Sequence, residues 1–132
     1  MLDYYEGAML MVKGRSNAKA ELAMRAKCHI EENYKDKFSL EELAVELYCN
    51  GCYLLRTFKE QTGHTLLEYH NLIRCEHSKA LLANPNISIS YISDAVGYVT
   101  QAHYTRVFKK IYNCSPTQYR KQLCISKRGD LS

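Results

Sequence analysis

The 132-residue sequence has little of the material from which loop-rich or membrane-spanning proteins are built. It contains only two prolines and six glycines, and this scarcity favours helices over a turn-rich β-sandwich. No apolar run approaches the roughly 18–20 residues that a membrane-spanning helix needs. The early apolar run, residues 8–12, follows Asp3 and Glu6, whereas a signal peptide has a basic start. We therefore expect a cytoplasmic protein with no membrane partner.

The sequence also has little excess charge, because eighteen Lys and Arg side chains face fourteen Asp and Glu. This small excess is unevenly placed. Residues 1–83 carry eleven basic and twelve acidic side chains, whereas residues 84–132 carry seven basic and two acidic. A one-sided positive field is expected of a protein that binds nucleic acid. A solvated basic tail containing Lys127 and Arg128 explains the imbalance as well, and on charge alone it is the slightly better explanation.

Six cysteines are present, at positions 28, 49, 52, 75, 114 and 124. Without an export signal, reduced thiols are expected rather than disulfides. Cys49 and Cys52 form one Cys-x-x-Cys pair, and a zinc site of this kind needs two such pairs. We predict no metal and no cofactor. A metal- or redox-sensing or protein-interaction helical module that uses this pair is the alternative function.

The spacing of apolar residues predicts helices along the whole chain, since no segment alternates as a strand would. The predicted helices cover about residues 2–12, 18–34, 39–47, 51–61, 65–83, 89–96, 100–111 and 116–123. Capping-box signals mark the starts of three of them: Ser39 with Glu42, Thr65 with Glu68, and Ser115 with Gln118. The apolar stripe of the first, over two heptads, is too short for strong dimerisation. We predict an all-α fold in a monomer or weak dimer.

The sequence contains a duplicated unit. Sliding the chain on itself by 50 residues places like residues on one another: Arg56 on Arg106, Phe58 on Phe108, Lys59 on Lys109, Thr65 on Ser115 and Tyr69 on Tyr119. Upstream of these positions the shift is 49, as for Leu47 on Val96. The turn of the second copy is therefore predicted to be one residue longer than that of the first.

Each copy has the pattern of a short helix, a tight turn and a second helix that begins after Asn50 or Thr100, both good N-caps. This is the pattern of a helix-turn-helix, whose second helix enters the major groove of DNA. A generic helical hairpin has the same pattern and binds nothing. Two copies that carry the same outward arginine favour DNA binding.

The helical period separates an inner from an outer face on each second helix. Leu54 and Phe58, and likewise Tyr104 and Phe108, are predicted to be buried. The outer positions are then Gly51, Cys52, Leu55, Arg56 and Lys59 in the first copy, and Gln101, Ala102, Thr105, Arg106 and Lys109 in the second. Arginine can bind guanine, glutamine can bind adenine, and alanine or a threonine methyl group can pack on thymine.

Five further side chains are predicted to contact phosphates, which supply affinity rather than sequence information: Asn50, Lys59, Thr100, Lys109 and Lys110. The alternative for Arg56 and Arg106 is that they lie in solvent or pair with nearby carboxylates. No catalytic constellation and no glycine-rich phosphate loop is evident in the sequence. We therefore do not predict an enzyme.

Several stretches of the sequence resemble the DNA-binding domain of AraC/XylS-type transcriptional regulators. They are FSLEELA at 38–44, YLLRTFKEQTG at 53–63, VGY at 96–98, YTRVFKK at 104–110, SP at 115–116 and YR at 119–120. The resemblance spans roughly residues 26–123. It implies two homeodomain-like helix-turn-helix subdomains joined by a long helix, with about seven helices in addition to an N-terminal helix.

On this resemblance, residues 1–17 are an N-terminal helical extension or linker and residues 124–132 are a tail. The first subdomain covers 18–64, the connecting helix 65–83 and the second subdomain 84–123. The base-reading positions map to Cys52, Leu55 and Arg56 in the first subdomain, and to Gln101, Ala102, Thr105 and Arg106 in the second.

The resemblance implies a sequence-specific binder of double-stranded DNA that regulates transcription, by family analogy as an activator with RNA polymerase as a candidate partner. Such a protein is expected at the nucleoid. Two departures from the family pattern stand out. Asn50-Gly51-Cys52 replaces a common Ser-Pro-Ser, and Asn113 replaces a common glycine but tolerates a left-handed backbone. Whether the chain acts alone or within a longer regulator is left open.

Overall fold

The computed structural model describes the backbone of residues 15–131 and the side chains of residues 18–125. Seven helices follow one another: α1 Arg15–Glu32, α2 Leu40–Glu46, α3 Gly51–Thr62, α4 Leu66–Leu82, α5 Ile89–Ala95, α6 Gln101–Tyr112 and α7 Pro116–Leu131. Between residues 15 and 131 no strand is present, so the all-α prediction is confirmed. The helix predicted over residues 2–12 lies outside the described residues. None of the seven described helices is long and apolar enough to span a membrane.

The chain forms two compact units. The first contains the described residues up to Glu32 together with Phe38–Tyr69, and the second contains Asn33–Lys37 together with the described residues from His70 onward. Helices α1, α2 and α3 therefore belong to the first unit, and α5, α6 and α7 belong to the second. Helix α4 begins in the first unit and ends in the second.

The core of the first unit is formed where α1 and α2 pack against α3. Leu54 and Phe58 on α3 are fully buried, as is Leu66 at the start of α4. The Phe58 ring meets the ring of Tyr69 edge-on, with 5.6 Å between the ring centroids. The inner face predicted for α3 is thus the buried one.

The core of the second unit is more aromatic. Tyr104 and Phe108 on α6 are fully buried and pack with Ile92 and Val96 of the preceding short helix and its cap. The Phe108 ring meets that of Tyr119 edge-on at 5.7 Å, as Phe58 meets Tyr69. The repeat found in the sequence is therefore a repeat of packing.

The predicted capping residues begin the helices, but only two of the three predicted capping boxes form in both directions. Thr65 and Glu68 bond each other's backbone N–H groups at 3.0 and 2.7 Å, and Ser115 and Gln118 do the same at 3.1 and 2.8 Å. The Ser39 hydroxyl accepts a bond from the N–H of Glu42. Short polar side chains satisfy the free donors of these first turns.

The last helix is longer than predicted. It was expected to end near residue 123, but α7 continues through Leu131. Residues 117–128 contain neither proline nor glycine, so nothing in this stretch interrupts the helical backbone. The nine residues predicted to be a tail are therefore mostly helical in their backbone.

Candidate nucleic-acid interface

Each unit contains a short helix, a turn and a longer helix, and the two turns differ in length as predicted. Residues 47–50 connect α2 to α3, and residues 96–100 connect α5 to α6. Both short helices end in a Schellman motif, in which two backbone N–H groups bond back to the last turn. In the first unit Tyr48 and Cys49 are the donors. In the second they are Gly97 and Tyr98.

The residue in the left-handed position of this motif differs between the units. It is Tyr48 in the first, with φ of 55°, and Gly97 in the second, with φ of 101°. Glycine adopts this backbone at no steric cost, whereas other residues are strained there. Nothing in the local sequence marks residue 48 as left-handed, and sequence analysis did not single it out.

The two longer helices begin with the predicted N-caps. The Asn50 side-chain oxygen accepts bonds from the N–H groups of Cys52 and Tyr53, at 2.8 and 3.2 Å. The Thr100 hydroxyl oxygen accepts one from the N–H of His103 at 3.1 Å. These oxygens are used within the fold, so only the Asn50 amide group and the Thr100 hydroxyl hydrogen are left as donors for a phosphate.

The residues predicted to contact bases lie together on the outer side of their own helix. On α3, Cys52, Leu55 and Arg56 are exposed, opposite buried Leu54 and Phe58. On α6, three of the four predicted positions are exposed and one, Thr105, is half-buried. The exposed three are Gln101, Ala102 and Arg106. Each helix therefore offers one continuous outer face.

Arg56 and Arg106 lie at equivalent positions of these faces. Neither pairs with a carboxylate within the part of the chain that the structure describes. The alternative in which an internal ion pair holds them has no support in these contacts. Both guanidinium groups are available to an external acceptor, and a guanidinium fits the two acceptors on the edge of guanine.

The predicted phosphate-binding lysines differ in their surroundings. Lys59 donates to the carbonyl oxygen of Gly63 at 3.1 Å and lies 3.9 Å from a carboxylate oxygen of Glu68. A bond from the backbone N–H of Thr65 and the nearby Lys59 charge help to lower the pKa of Glu68. Lys109 and Lys110 are exposed and form no ion pair with a described carboxylate. Helix α6 thus presents both of its lysines without a compensating carboxylate among the described residues.

Two arginines that sequence analysis did not assign a role hold loops of the second unit. Arg74 donates to the carbonyl oxygens of Tyr34 and Asp36, at 2.7 and 2.8 Å. Arg120 donates to those of Leu82, Asn84 and Ile87, at 3.0, 3.1 and 2.7 Å. These bonds join residues 33 to 40 positions apart, so only the folded structure reveals them. They hold these loops in place. Because its guanidinium group is bound to three carbonyl oxygens, Arg120 is not counted among the cations that could bind a ligand.

The cysteines form no disulfide, since all six are free thiols. Cys49 is half-buried before the N-cap of α3, and Cys52 is exposed within its first turn. Burial raises the pKa of the Cys49 thiol, which disfavours the thiolate that binds metals. Among the residues that the structure describes, no three His, Cys, Asp or Glu side chains form a group that could hold a metal ion.

Comparison with known proteins identifies the family to which this architecture belongs. A family model described as a helix-turn-helix domain matches residues 43–122. The chain is 30% identical over 105 residues to the uncharacterized HTH-type transcriptional regulator YisR of Bacillus subtilis, covering 80% of this chain and 37% of YisR. The C-terminal domain of AraT, a response regulator from Geobacillus stearothermophilus, is 31% identical with a TM-score of 0.71, covering 76% of this chain and 84% of that domain.

A transcriptional regulator of Chromobacterium violaceum, described as having an AraC-type DNA-binding domain, shares the fold. Its TM-score is 0.72 at 23% identity, covering 78% of this chain and 92% of that protein. The chain spans less than half the length of curated relatives such as YisR. The resemblance stated from sequence motifs is confirmed, and the chain belongs to the AraC-type family of helix-turn-helix domains found in transcriptional regulators.

Proposed function

We propose that this domain binds double-stranded DNA sequence-specifically and in this way regulates transcription. One observation carries the proposal: the helix-turn-helix occurs twice, and each copy exposes an arginine, Arg56 or Arg106, at the same place on its second helix. An isolated exposed arginine has no single role. When two arginines lie at equivalent positions of a motif that places this helix in the major groove, a shared role in binding DNA is expected.

In this proposal α3 and α6 are the recognition helices and enter successive major-groove segments of one DNA molecule, about one helical turn apart. Arg56 and Arg106 each donate two hydrogen bonds to a guanine edge. Gln101 does the same to adenine, and Ala102 packs against a thymine methyl group. Thr105 is half-buried, and its methyl group is proposed to make such a contact.

The second unit is proposed to supply most of the sequence information. Its face combines a guanidinium, an amide and a small apolar side chain, together with Lys109 and Lys110 for phosphates. The first unit offers Cys52 and Leu55, which are weak partners for hydrogen-bonded recognition. Its base-specific contribution therefore comes chiefly from Arg56, with Cys52 and Leu55 in van der Waals contact.

Activation of transcription, with RNA polymerase as partner, is the proposed regulatory outcome, and it rests on analogy with the family alone. Asn50, Thr100, Lys59, Lys109 and Lys110 are the proposed phosphate contacts. The surplus of basic residues after position 83 supports the assignment of Thr100, Lys109 and Lys110, since phosphate contacts supply much of the affinity of such proteins for DNA.

Selection of bound duplexes from a random pool tests the base-reading face. We expect the selected site to contain a guanine that depends on Arg106, so that Arg106→Ala loses about 1–3 kcal/mol of binding free energy there and relaxes that one preference. Lys37→Ala is the matched control, because it removes one exposed positive charge from the Asn33–Lys37 loop.

Unchanged affinity and specificity in Arg106→Ala would show that the assigned face is wrong. A salt titration on random duplex tests the proposal more broadly. DNA binding requires affinity that falls steeply as salt rises. Binding that is absent, or that does not respond to salt, contradicts the proposed function.

A further inference from the structure

Tyr48 is the most unusual residue of the first unit. It occupies the left-handed position after α2, with φ of 55°, and it is not a glycine. The Schellman bonds fix it there: its own N–H bonds to the carbonyl of Val45 at 3.1 Å, and that of Cys49 bonds to the carbonyl of Ala44 at 3.0 Å. For a bulky side chain this backbone is unfavourable, and such strain tends to occur at functional positions.

The second unit shows that the fold does not need a tyrosine in this position. Gly97 occupies the equivalent place, with the same two backbone bonds made by Gly97 and Tyr98. The Tyr48 ring is also not used for packing, because 92% of the residue is exposed. Its presence therefore costs folding free energy and returns none through burial.

The position of Tyr48 indicates what the side chain can reach. It lies two residues before Asn50, the N-cap of α3, and so directly precedes the helix that carries Cys52, Leu55 and Arg56. In a helix-turn-helix bound to DNA, the first helix crosses the phosphate backbone and the second enters the groove. The turn between them therefore runs close to phosphates.

The charge around Tyr48 favours a neutral donor. Helix α2 exposes Glu41, Glu42 and Glu46, and Lys59 of the same unit is already in contact with Gly63 and Glu68. A phenol hydroxyl can donate a hydrogen bond to a phosphate oxygen without adding charge, and tyrosine is among the side chains that make such bonds.

We propose that Tyr48 is a phosphate contact of the first recognition unit, its exposed hydroxyl donating a hydrogen bond to the DNA backbone beside α3. The proposal rests on the proposed function, and it adds a residue that neither the motif nor the outer-face pattern identifies. It also explains why a strained tyrosine stands where the sister unit has glycine.

Two variants of the full chain test this contact. Tyr48→Phe keeps the ring and removes the donor, and we expect a loss of affinity on the order of tenfold, the size of one bond to a charged acceptor. The loss should be equal on the selected site and on random duplex, since phosphates carry no sequence information. The salt slope should not change, because no cation is lost.

Tyr48→Gly should change the stability and the DNA affinity in opposite directions. Removing the side chain relieves the left-handed strain, so the melting temperature should rise by a few degrees while DNA affinity falls as in Tyr48→Phe. Tyr34→Phe is the control, because Tyr34 lies in the Asn33–Lys37 loop, outside both helix-turn-helix motifs. We expect it to leave affinity and melting temperature unchanged.

Three results would overturn the contact in a chain that binds DNA: unchanged affinity in Tyr48→Phe, a loss confined to the selected site, or an equal loss in Tyr34→Phe. A fall in the melting temperature of Tyr48→Gly would overturn the strain argument. Failure of the wild-type chain to bind any duplex is a separate result, and it would refute the proposed function itself.

Discussion

At the end of its first short helix, the first unit has Tyr48 where the second has Gly97, although both residues are held by the same pair of backbone bonds. Two requirements meet at Gly97: its φ is positive, and a Cβ there would lie 2.5 Å from the carbonyl oxygen of Lys35. At Tyr48 the side chain projects into solvent. The same backbone motif therefore accepts a tyrosine in the first unit, where the side chain reaches solvent. It requires a glycine in the second unit, where neighbouring atoms leave no room for a Cβ.

The two recognition helices are likewise similar on their buried faces and different on their exposed faces. Each copy buries a pair of large apolar side chains at equivalent positions: Leu54 with Phe58 in the first, and Tyr104 with Phe108 in the second. The exposed residues share Arg56 and Arg106 but otherwise differ. Packing therefore fixes where each helix lies, and the outward positions are left open to diverge in what they contact.

The largest effect is expected where the second unit is crowded. Gly97→Ala places a Cβ against the Lys35 carbonyl and the Arg74 side chain and strains the backbone, so it should lower the free energy of unfolding by about 3 kcal/mol. Urea denaturation measures this loss. Tyr48→Ala is the matched change in the first unit and should alter stability by less than about 0.5 kcal/mol. Similar losses in both would contradict the contrast between the two turns.

A pH dependence should next distinguish two equivalent positions of the repeat, His70 and Arg120, both of which lie in the second unit. His70 and Arg120 are equivalent in the 50-residue repeat, and each binds a backbone carbonyl of a preceding loop, His70 that of Asp36 at 3.1 Å. Burial and the Arg74 charge lower the pKa of His70 from 6.5 to about 4. The unfolded chain therefore binds the proton first, and stability contributed by neutral His70 is lost as pH falls from 6.5 towards 4.

Denaturation at pH 7 and at pH 5 measures this difference. We expect the wild type to lose about 1–2 kcal/mol through His70 by pH 5, a loss that His70→Gln should not show. The arginine at position 120 stays charged throughout this range, so its link carries no such dependence. An equal loss in wild type and variant would contradict the assignment to His70.

A smaller effect is expected at the start of α3, where Gly51 stands at the first helical position. An added Cβ would meet Leu40 at 3.5 Å, an ordinary contact. Gly51→Ala should therefore raise the free energy of unfolding by about 0.5–1 kcal/mol. Gly63→Ala is the control at the other end of the helix and should be destabilising, because φ there is 80°. Destabilisation by Gly51→Ala would show that the glycine has a use the structure does not reveal.

The smallest effect is expected at Lys59 and Lys109, which occupy equivalent positions of the 50-residue repeat. Lys109→Ala should weaken binding to all sequences alike and reduce the salt slope by about one unit. Lys59→Ala should reduce it less, because Glu68 already compensates that charge in part. The slopes come from affinities measured over a range of salt concentrations. Equal changes in both variants would show that the Glu68 pairing does not persist on DNA.

Local chemistry made much of this fold predictable. The N-caps, the two reciprocal capping boxes, the unequal turns and the left-handed Asn113, with φ of 62°, were all expected from residue types and spacing. The outer faces followed from helical period, with the exceptions of Gly51 and Thr105, which are both half-buried. These features depend on residues within a few positions of one another.

What could not be predicted depends on residues far apart in the chain. The carbonyl contacts of Arg74 and Arg120 link segments that no periodicity relates. The left-handed Tyr48 had no glycine or asparagine to announce it, and its backbone follows from the bonds that close α2. The assignment of individual bases and phosphates stays a prediction.

The loop Asn33–Lys37 has a consequence for attempts to dissect the protein. The backbone leaves the first unit after Glu32, contributes this loop to the second and returns at Phe38. No single cut therefore yields two intact halves. A recombinant fragment that stops after Gly63 would keep the loop but lose Arg74, the side chain that anchors it.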